Sequence, residues 1–167
     1  DYSAIRQQLN QQTHYQNQKS FASYKQNLEA GLQLLEAARN QKLQLPNAGT
    51  DAELIQQFEL WNSSPRKSAA LAAGMSAIIP GSGKVYANAW KDGLISFLFV
   101  GANAYSSYRG FNNQGIRSPY GWLFGGLTAG FYLGNIYGSH RQARKYNHSV
   151  EKNIKDRAYN RLLDLHP

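Results

Sequence analysis

Apolar residues recur at helical spacing in the first third of the chain. From Ser20 onward they fall on one stripe: Phe21, Tyr24, Leu28, Leu32 and Leu35. This stripe predicts a helix that runs to about Leu43 and ends before Pro46. Residues 1–19 are rich in Gln and Asn and carry a single helical turn of apolar pattern, so they predict a weak helix or a loose arm.

A second, shorter apolar stripe follows a helix-capping signal. Thr50 and Glu53 have the spacing of a capping box, in which the Thr hydroxyl accepts a hydrogen bond from the Glu53 amide and the Glu53 carboxylate reaches back. The stripe behind it consists of Leu54, Phe58 and Trp61. We therefore predict a short helix that ends near Asn62, and residues 20–62 together predict a helical hairpin.

Three uncharged stretches follow a polar linker at residues 63–67, and they cover residues 68–83, 93–108 and 118–139. Turn residues separate them at Pro80–Gly83, at Lys91–Gly93 and in a polar loop from Gly110 to Pro119. Pro119 suits the first turn of the helix that follows, where its missing N–H is harmless.

The last segment, residues 140–165, has the pattern of an amphipathic helix surrounded by Lys and Arg. Its apolar stripe consists of Val150, Ile154, Ala158, Leu162 and Leu165. No segment has the alternation of a strand, so we predict an all-α fold. It comprises an N-terminal helical hairpin, a compact glycine-rich helical bundle and an amphipathic basic C-terminal helix. Residues 1–62 and 63–167 are the predicted domains.

The third uncharged stretch contains a glycine at every fourth position: Gly126, Gly130, Gly134 and Gly138. Each glycine costs a helix interior about 1 kcal/mol relative to alanine, so the row needs an offsetting contact. Positions four apart lie on nearly one face, and a face without side chains lets another backbone approach closely. We expect Gly130 and Gly134 to be buried against helix 94–108, which offers Gly101 and Ala104 as small residues.

The uncharged stretches leave two interpretations open. In one, residues 93–138 form a short two-helix membrane hairpin; in the other, they are buried helices of a soluble domain. A spanning helix needs about 20 apolar residues, and only 118–139 reaches that length. Aromatic residues stand near the segment ends, as at membrane interfaces: Trp90, Tyr105, Tyr108, Tyr120, Trp122 and Tyr137. The weakness of these spans favours the soluble interpretation.

The charge is unevenly distributed along the sequence. The chain carries 18 Lys and Arg against 10 Asp and Glu, and Asp92 is the single acidic residue within 63–139. Such asymmetry is typical of nucleic-acid or anionic-membrane partners. Basic residues and tyrosines alternate in 141–161, but a solvated amphipathic helix explains them better than nucleic acid does. The chain has no Cys, which excludes disulfides and thiolate metal sites but says little about compartment. Its start at Asp1 fits a mature exported protein whose signal peptide has been removed, or a shortened chain, and we favour export.

Candidate catalytic and ligand-binding patterns fail on inspection. The segment Gly81–Lys84 suggests a phosphate-binding loop, but Ile78 replaces the required first glycine and Val85 replaces the required Ser or Thr. The histidines are His14, His140, His148 and His166; His140 and His148 could share a helix face, but no carboxylate stands at metal-ligand spacing between those two. A paired-carboxylate mechanism lacks its residues in 63–139. We therefore predict no catalytic, cofactor or metal site, and we do not expect an enzyme.

Residues 68–147 resemble a family of bacterial envelope proteins. The resemblance rests on Ile79–Tyr86, on Trp90–Gly93 and on Phe131–Ser139. That family carries a Pro-Gly-x-Gly-x-x-Tyr turn ahead of a glycine-rich helical hairpin, and the Tyr-, Asn- and Gln-rich composition is similar to that of exported Bacteroidetes proteins. One class that fits is the periplasmic plug subunit of the type 9 secretion translocon.

This resemblance implies a non-enzymatic, exported protein of the periplasm, associated with the outer membrane. Its expected partner is a larger membrane protein or translocon subunit, whose secretion channel it would plug or gate. Contact with a membrane surface is a further expectation, and nucleic acid is not expected. The alternative is a small integral membrane protein with a hairpin at 93–138. The predicted packing and interaction residues are Pro80, Gly81, Gly83, Tyr86, Gly126, Gly130, Gly134 and Gly138.

Overall fold

The computed structural model describes residues 2–38 and 41–165, with side chains from Gln7 onward. It contains α1 (Tyr2–Glu36), α2 (Ala52–Ser63), α3 (Ala69–Ile78), α4 (Ser82–Tyr86), α5 (Trp90–Gln114), a 3-10 turn (Gly115–Arg117) and α6 (Pro119–Asp164). No strand occurs among the described residues, and the predicted all-α fold is confirmed.

Helix α1 begins earlier and ends earlier than predicted. Residues 2–19, expected as a weak helix or loose arm, are part of it. The helix ends at Glu36 rather than near Leu43. In the segment beyond α1, Leu43 N donates to Asn62 Oδ1 at 2.9 Å, and Asn62 Nδ2 donates to Leu43 O at 2.8 Å. A side chain of α2 thus satisfies backbone groups that a longer α1 would have paired internally.

Helices α5 and α6 are also longer than predicted. Helix α5 passes through the expected break at Lys91–Gly93, covers residues 110–114 of the expected polar loop, and ends at Gly115 with a φ of 67°. Pro119 begins α6 as predicted. The glycine-rich stretch and the basic C-terminal segment, expected as separate helices, form this one helix, because no proline interrupts residues 120–166.

The chain divides into two compact units. The first unit comprises Asp1–Ser64 and Val150–Pro167, and the second unit comprises Pro65–Ser149. Residues 150–167, which we assigned to the second predicted domain, therefore belong with the N-terminal residues. The reason is packing: Ile154 and Ala158 of α6 are buried in the same apolar cluster as α1 and α2.

The core of the first unit confirms two predicted apolar stripes and corrects the third. Leu54, Phe58 and Trp61 of α2 are buried, as are Ile154 and Ala158 of α6. In α1, by contrast, Leu28 and Leu32 of the predicted stripe are exposed, and the buried face carries Ala30, Leu34 and Ala37. A Cβ added to Gly31 would lie 2.3 Å from Leu162 Cδ1. Small residues on α1 thus admit the bulky side chains of α6.

The start of α2 is capped by Asp51, not by Thr50 as predicted. Asp51 Oδ1 accepts from the amides of Glu53 (3.0 Å) and Leu54 (3.3 Å), whereas the buried Thr50 hydroxyl has no partner among the described residues. Arg161 donates to both carboxylate oxygens of Asp51, at 3.0 and 2.8 Å. The hydrogen bonds from Arg161 hold the pKa of Asp51 below its ordinary value, since they favour the ionised carboxylate.

Candidate functional site

The Pro80–Tyr86 turn brings helix backbones of the second unit into direct contact. Gly81 adopts a left-handed φ of 90°, and a Cβ there would lie 2.0 Å from Gly93 O of α5. A Cβ on Gly83 would lie 1.8 Å from Ala72 O of α3. Both distances are far inside van der Waals contact, so only glycine fits at either position. The turn therefore holds α3 and α5 against α4.

A buried chain of hydroxyl groups links the same turn to α6. Ser76 Oγ and Ser139 Oγ are 2.6 Å apart, and both side chains are fully buried. Ser139 donates its one hydroxyl proton to Asn135 O at 2.9 Å, so Ser76 is the donor in the Ser76–Ser139 bond. Ser76 Oγ in turn accepts from Gly83 N at 2.9 Å. These bonds join α3, α4 and α6.

Tyr86 contacts the N-terminal end of α3. Its hydroxyl accepts from Ser68 N at 3.1 Å, and the Lys67 ammonium lies 4.7 Å from the centre of its ring. Asn147 of α6 exchanges two hydrogen bonds with the backbone of Lys67, at 2.8 and 2.9 Å. The conspicuous residues of the turn thus have internal structural contacts.

Helices α5 and α6 touch closely at their loop end. A Cβ on Gly110 would lie 2.7 Å from Gly121 N, and Ser107 Oγ donates to Gly121 O at 2.9 Å. The rings of Phe111 and Trp122 pack edge to face with centroids 5.5 Å apart. Glycine therefore does mediate a close helix contact here, but through residues that precede the regular row.

The predicted burial of Gly130 and Gly134 against α5 is wrong. Both are exposed, and apart from the neighbouring backbone of α6 no described atom lies within 4 Å of the position that a Cβ would take on Gly126, Gly130 or Gly134. A four-residue step turns about 40° around an α-helix, so Gly126 and Gly138 point about 120° apart and the row does not form a single packing face. The rings of Phe99 and Phe131, with centroids 5.9 Å apart, fill the space between the helices at this level.

A groove of about 350 Å³ takes the place of the expected glycine contact. Its wall is mostly apolar and consists of Ile95, Phe99, Val100 and Phe131, with Gly130 and Gly134 beside them. Its polar residues are Lys84, Ser96 and Asn135. We call this set of residues the groove.

The polar groups of the groove are unequally satisfied. Lys84 Nζ donates to Ser96 Oγ at 2.6 Å, and Ser96 donates to Asp92 O at 2.8 Å. Asn135 is 4 % exposed, yet neither atom of its carboxamide has a hydrogen-bond partner among the described residues. A buried polar group without a partner costs about 1–3 kcal/mol. The free chain therefore carries an unfavourable feature at this position.

Large apolar side chains are exposed along α5 and along α6 as far as Tyr137, and we call them the apolar surface. They are Trp90, Leu94, Ile95, Phe97, Leu98, Phe99, Tyr105, Tyr108, Tyr120, Trp122, Leu123, Leu127, Phe131, Leu133 and Tyr137. Leu98 and Leu133 are 58 % and 65 % exposed. Within residues 2–38 and 41–165, no helix is both long and apolar enough to cross a membrane.

The net charge of the protein belongs to the unit that bears this surface. The second unit contains nine basic residues, namely Arg66, Lys67, Lys84, Lys91, Arg109, Arg117, Arg141, Arg144 and Lys145, against one acidic residue, Asp92. The first unit contains the other nine basic and nine acidic residues. The second unit is thus both strongly cationic and rich in exposed apolar groups.

Compared with protein-family models, curated proteins and solved structures, the chain has no significant match. The resemblance to envelope proteins stays a prediction.

The predicted interaction residues fall into two sets. Pro80, Gly81, Gly83 and Tyr86 form an internal turn, whereas Gly126, Gly130 and Gly134 face outward. Gly138 faces Lys84, whose Cε lies 3.3 Å from the position of an added Cβ.

Sequence reasoning missed Asn135, Ser96 and the Ser76–Ser139 pair. All four are small polar residues inside the uncharged helical stretches, and this shared position is the sequence signal that could have indicated buried hydrogen bonds between the helices.

Proposed function

We propose that the chain is a non-enzymatic subunit of a bacterial envelope assembly that docks on a larger membrane protein through the apolar surface. The observation that carries this proposal is the large number of exposed apolar side chains on α5 and α6. Large exposed apolar patches are rare on isolated soluble proteins and mark contact sites.

The outward-facing Gly126 supports the same proposal, because it presents bare backbone amid the apolar side chains. A partner helix can approach such a face more closely than one covered by side chains. The close contacts of Gly81 with Gly93 of α5 and of Gly83 with Ala72 of α3 fix these helices relative to α4, so α5 is held on a packed scaffold.

The envelope resemblance supplies the finer part of the proposal. On that resemblance we propose that the protein acts in the periplasm, on an outer-membrane protein complex, and plugs or gates a secretion channel. A membrane hairpin at residues 93–138 is the competing assignment, and the experiment below separates the two.

Co-purification from gently solubilised envelopes tests the docking proposal. We expect the tagged chain to elute with a larger membrane protein, and Leu133→Gln to weaken that association, because it places an amide in the apolar contact. Leu163→Gln is the matched control: Leu163 is similarly exposed, at 57 %, but lies on the first unit.

Two results contradict the proposal. The first is a parent chain that elutes alone as a monomer. The second is equal retention of the partner by both variants. A chain that pellets with membranes stripped of other proteins, and leaves them only in detergent, favours the membrane hairpin instead.

A further inference from the structure

The geometry points to a ligand site in the second unit: we propose that the groove binds an anionic amphiphile. The charged head lies at Lys84, and the hydrocarbon chain lies along Phe99, Val100 and Phe131. This inference goes beyond the docking proposal and does not rest on it.

The charge of the groove selects an anion. Lys84 is its one charged residue, and within the described part of the chain Lys84 has no ion pair. Its ammonium has three donors, and one of them is used by Ser96 Oγ. Asp92 is the single carboxylate in residues 65–149, and no carboxylate oxygen of it lies within 4.0 Å of Lys84 Nζ. A carboxylate or phosphate supplies the missing counter-charge in short, strong hydrogen bonds.

Asn135 is the second, independent indication of a ligand. It lines the groove, it is 96 % buried, and both polar atoms of its side chain lack partners among the described residues. Buried polar groups in folded proteins are nearly always hydrogen-bonded, so each exception needs an explanation. Both polar atoms of the Asn135 side chain are closed to solvent in the free chain, so a bound head pairs with them only after the Asn135 side chain turns toward the groove.

The remaining wall fits a hydrocarbon chain. Ile95, Phe99, Val100 and Phe131 give the groove its apolar character. An apolar cavity with a few polar groups, and a volume of about 350 Å³, falls within the usual range of small-molecule sites.

The glycine row keeps the site open. Gly130 and Gly134 line the groove, so a side chain at either position would occupy its space. At Gly138 an added Cβ would lie 3.3 Å from Lys84 Cε. Because Gly138 has no Cβ, the aliphatic part of the Lys84 side chain lies close to α6, while the Lys84 ammonium donates to Ser96 Oγ. Three of the four glycines of the row thus contribute to one binding site.

Calorimetric titration of the full chain with decanoate tests the proposal, and decanol serves as the uncharged ligand of equal length. We expect Lys84→Met to weaken decanoate binding by roughly tenfold or more, the size of a charge-assisted hydrogen bond, and to leave decanol binding unchanged. Gly134→Leu should abolish the binding of both ligands. Its fold is checked by circular dichroism, and the open space at Gly134 leaves room for the side chain in the empty groove.

Lys91→Met is the matched control, because Lys91 is an exposed cation of the same unit and lies outside the groove. Equal weakening of decanoate binding by Lys84→Met and Lys91→Met would overturn the proposal, since general electrostatic attraction would explain it. Equal affinity of the parent for decanoate and decanol would also overturn it.

Co-sedimentation with vesicles identifies the source of the anionic head. Pelleting with phosphatidylglycerol vesicles but not phosphatidylcholine vesicles, lost in Lys84→Met and kept in Lys91→Met, assigns the head to a phospholipid. Decanoate binding without pelleting assigns it to a free fatty acid. If neither decanoate nor phosphatidylglycerol vesicles bind in a Lys84-dependent way, the groove is not an amphiphile site.

Discussion

The two sets of glycines in the second unit should respond to alanine in opposite directions. In Gly83→Ala the new Cβ would lie 1.8 Å from Ala72 O and 2.7 Å from Ser76 Oγ. Since Ala72 O is backbone, α4 must move away from α3, and the Gly83 N to Ser76 Oγ bond of 2.9 Å lengthens. In Gly134→Ala the new Cβ meets no described atom within 4 Å.

The magnitudes follow from these contacts. Overpacking costs about 1–3 kcal/mol, and a buried hydrogen-bonding group left unpaired costs about 1–3 kcal/mol more. Helix propensity returns about 1 kcal/mol at either position. We expect Gly83→Ala to lose about 1–5 kcal/mol of unfolding free energy and Gly134→Ala to gain up to about 1 kcal/mol.

Urea unfolding of the full chain, followed by far-ultraviolet circular dichroism, measures both variants. A shift of the midpoint at constant slope reports a change in stability. Gly74→Ala is the control for α3, because Gly74 is exposed and its Cβ position is open, so this variant should also be stabilised. The packing argument is refuted if Gly83→Ala unfolds at or above the urea midpoint of the parent, or if Gly134→Ala is destabilised as strongly as Gly83→Ala.

Two further predictions concern buried hydrogen bonds and acid stability. Ser76→Ala should destabilise the protein by about 1–3 kcal/mol in urea, because it leaves Gly83 N without an acceptor; a value near zero would contradict the role of the hydroxyl chain. Arg161 lowers the folded-state pKa of Asp51, so the ionised carboxylate stabilises the folded protein. This contribution of Asp51 to the free energy of unfolding is complete above the unfolded pKa of about 3.9 and is lost as pH falls through the lower, folded pKa. The difference in stability between the parent and Arg161→Gln should therefore shrink in that acid range, and a difference that stays constant in pH titrations of thermal unfolding would disprove the linkage.

Local signals in the sequence predicted the elements better than they predicted which faces pack. Apolar spacing located α2, and Pro119 marked the start of α6. The packing face of α1 was not predicted because two of its residues, Ala30 and Gly31, are small, whereas Leu28 and Leu32 of the predicted stripe are exposed. Small residues carry little hydrophobic signal, although they decide where another helix can approach.

The candidate site was predictable in composition but not in geometry. Glycine spacing drew attention to Gly126, Gly130 and Gly134, yet regular spacing specifies only a helix face and does not name what covers it. Ser76 contacts Ser139 at a separation of 63 residues, which no window of local pattern contains. Lys84 of α4 and Ser96 of α5 are 12 residues apart, but their contact depends on the turn that joins these two helices rather than on residue spacing.

The outward-facing glycines of α6 lower its helix stability, and no contact within the described chain compensates for this loss. Gly126, Gly130 and Gly134 together weaken α6 by about 3 kcal/mol relative to alanine, and within the described residues no close contact offsets that loss. Gly81 and Gly83 differ, because their neighbours leave no room for any other residue. For a protein whose whole stability is of the order of 5–15 kcal/mol, a loss of this size is substantial.

A bound amphiphile explains Gly130 and Gly134, since both line the groove, whereas Gly126 lies outside it and is explained by a docked helix. Separate effects of Gly134→Leu on ligand binding and of Gly126→Leu on docking would therefore show that one glycine row serves two contacts.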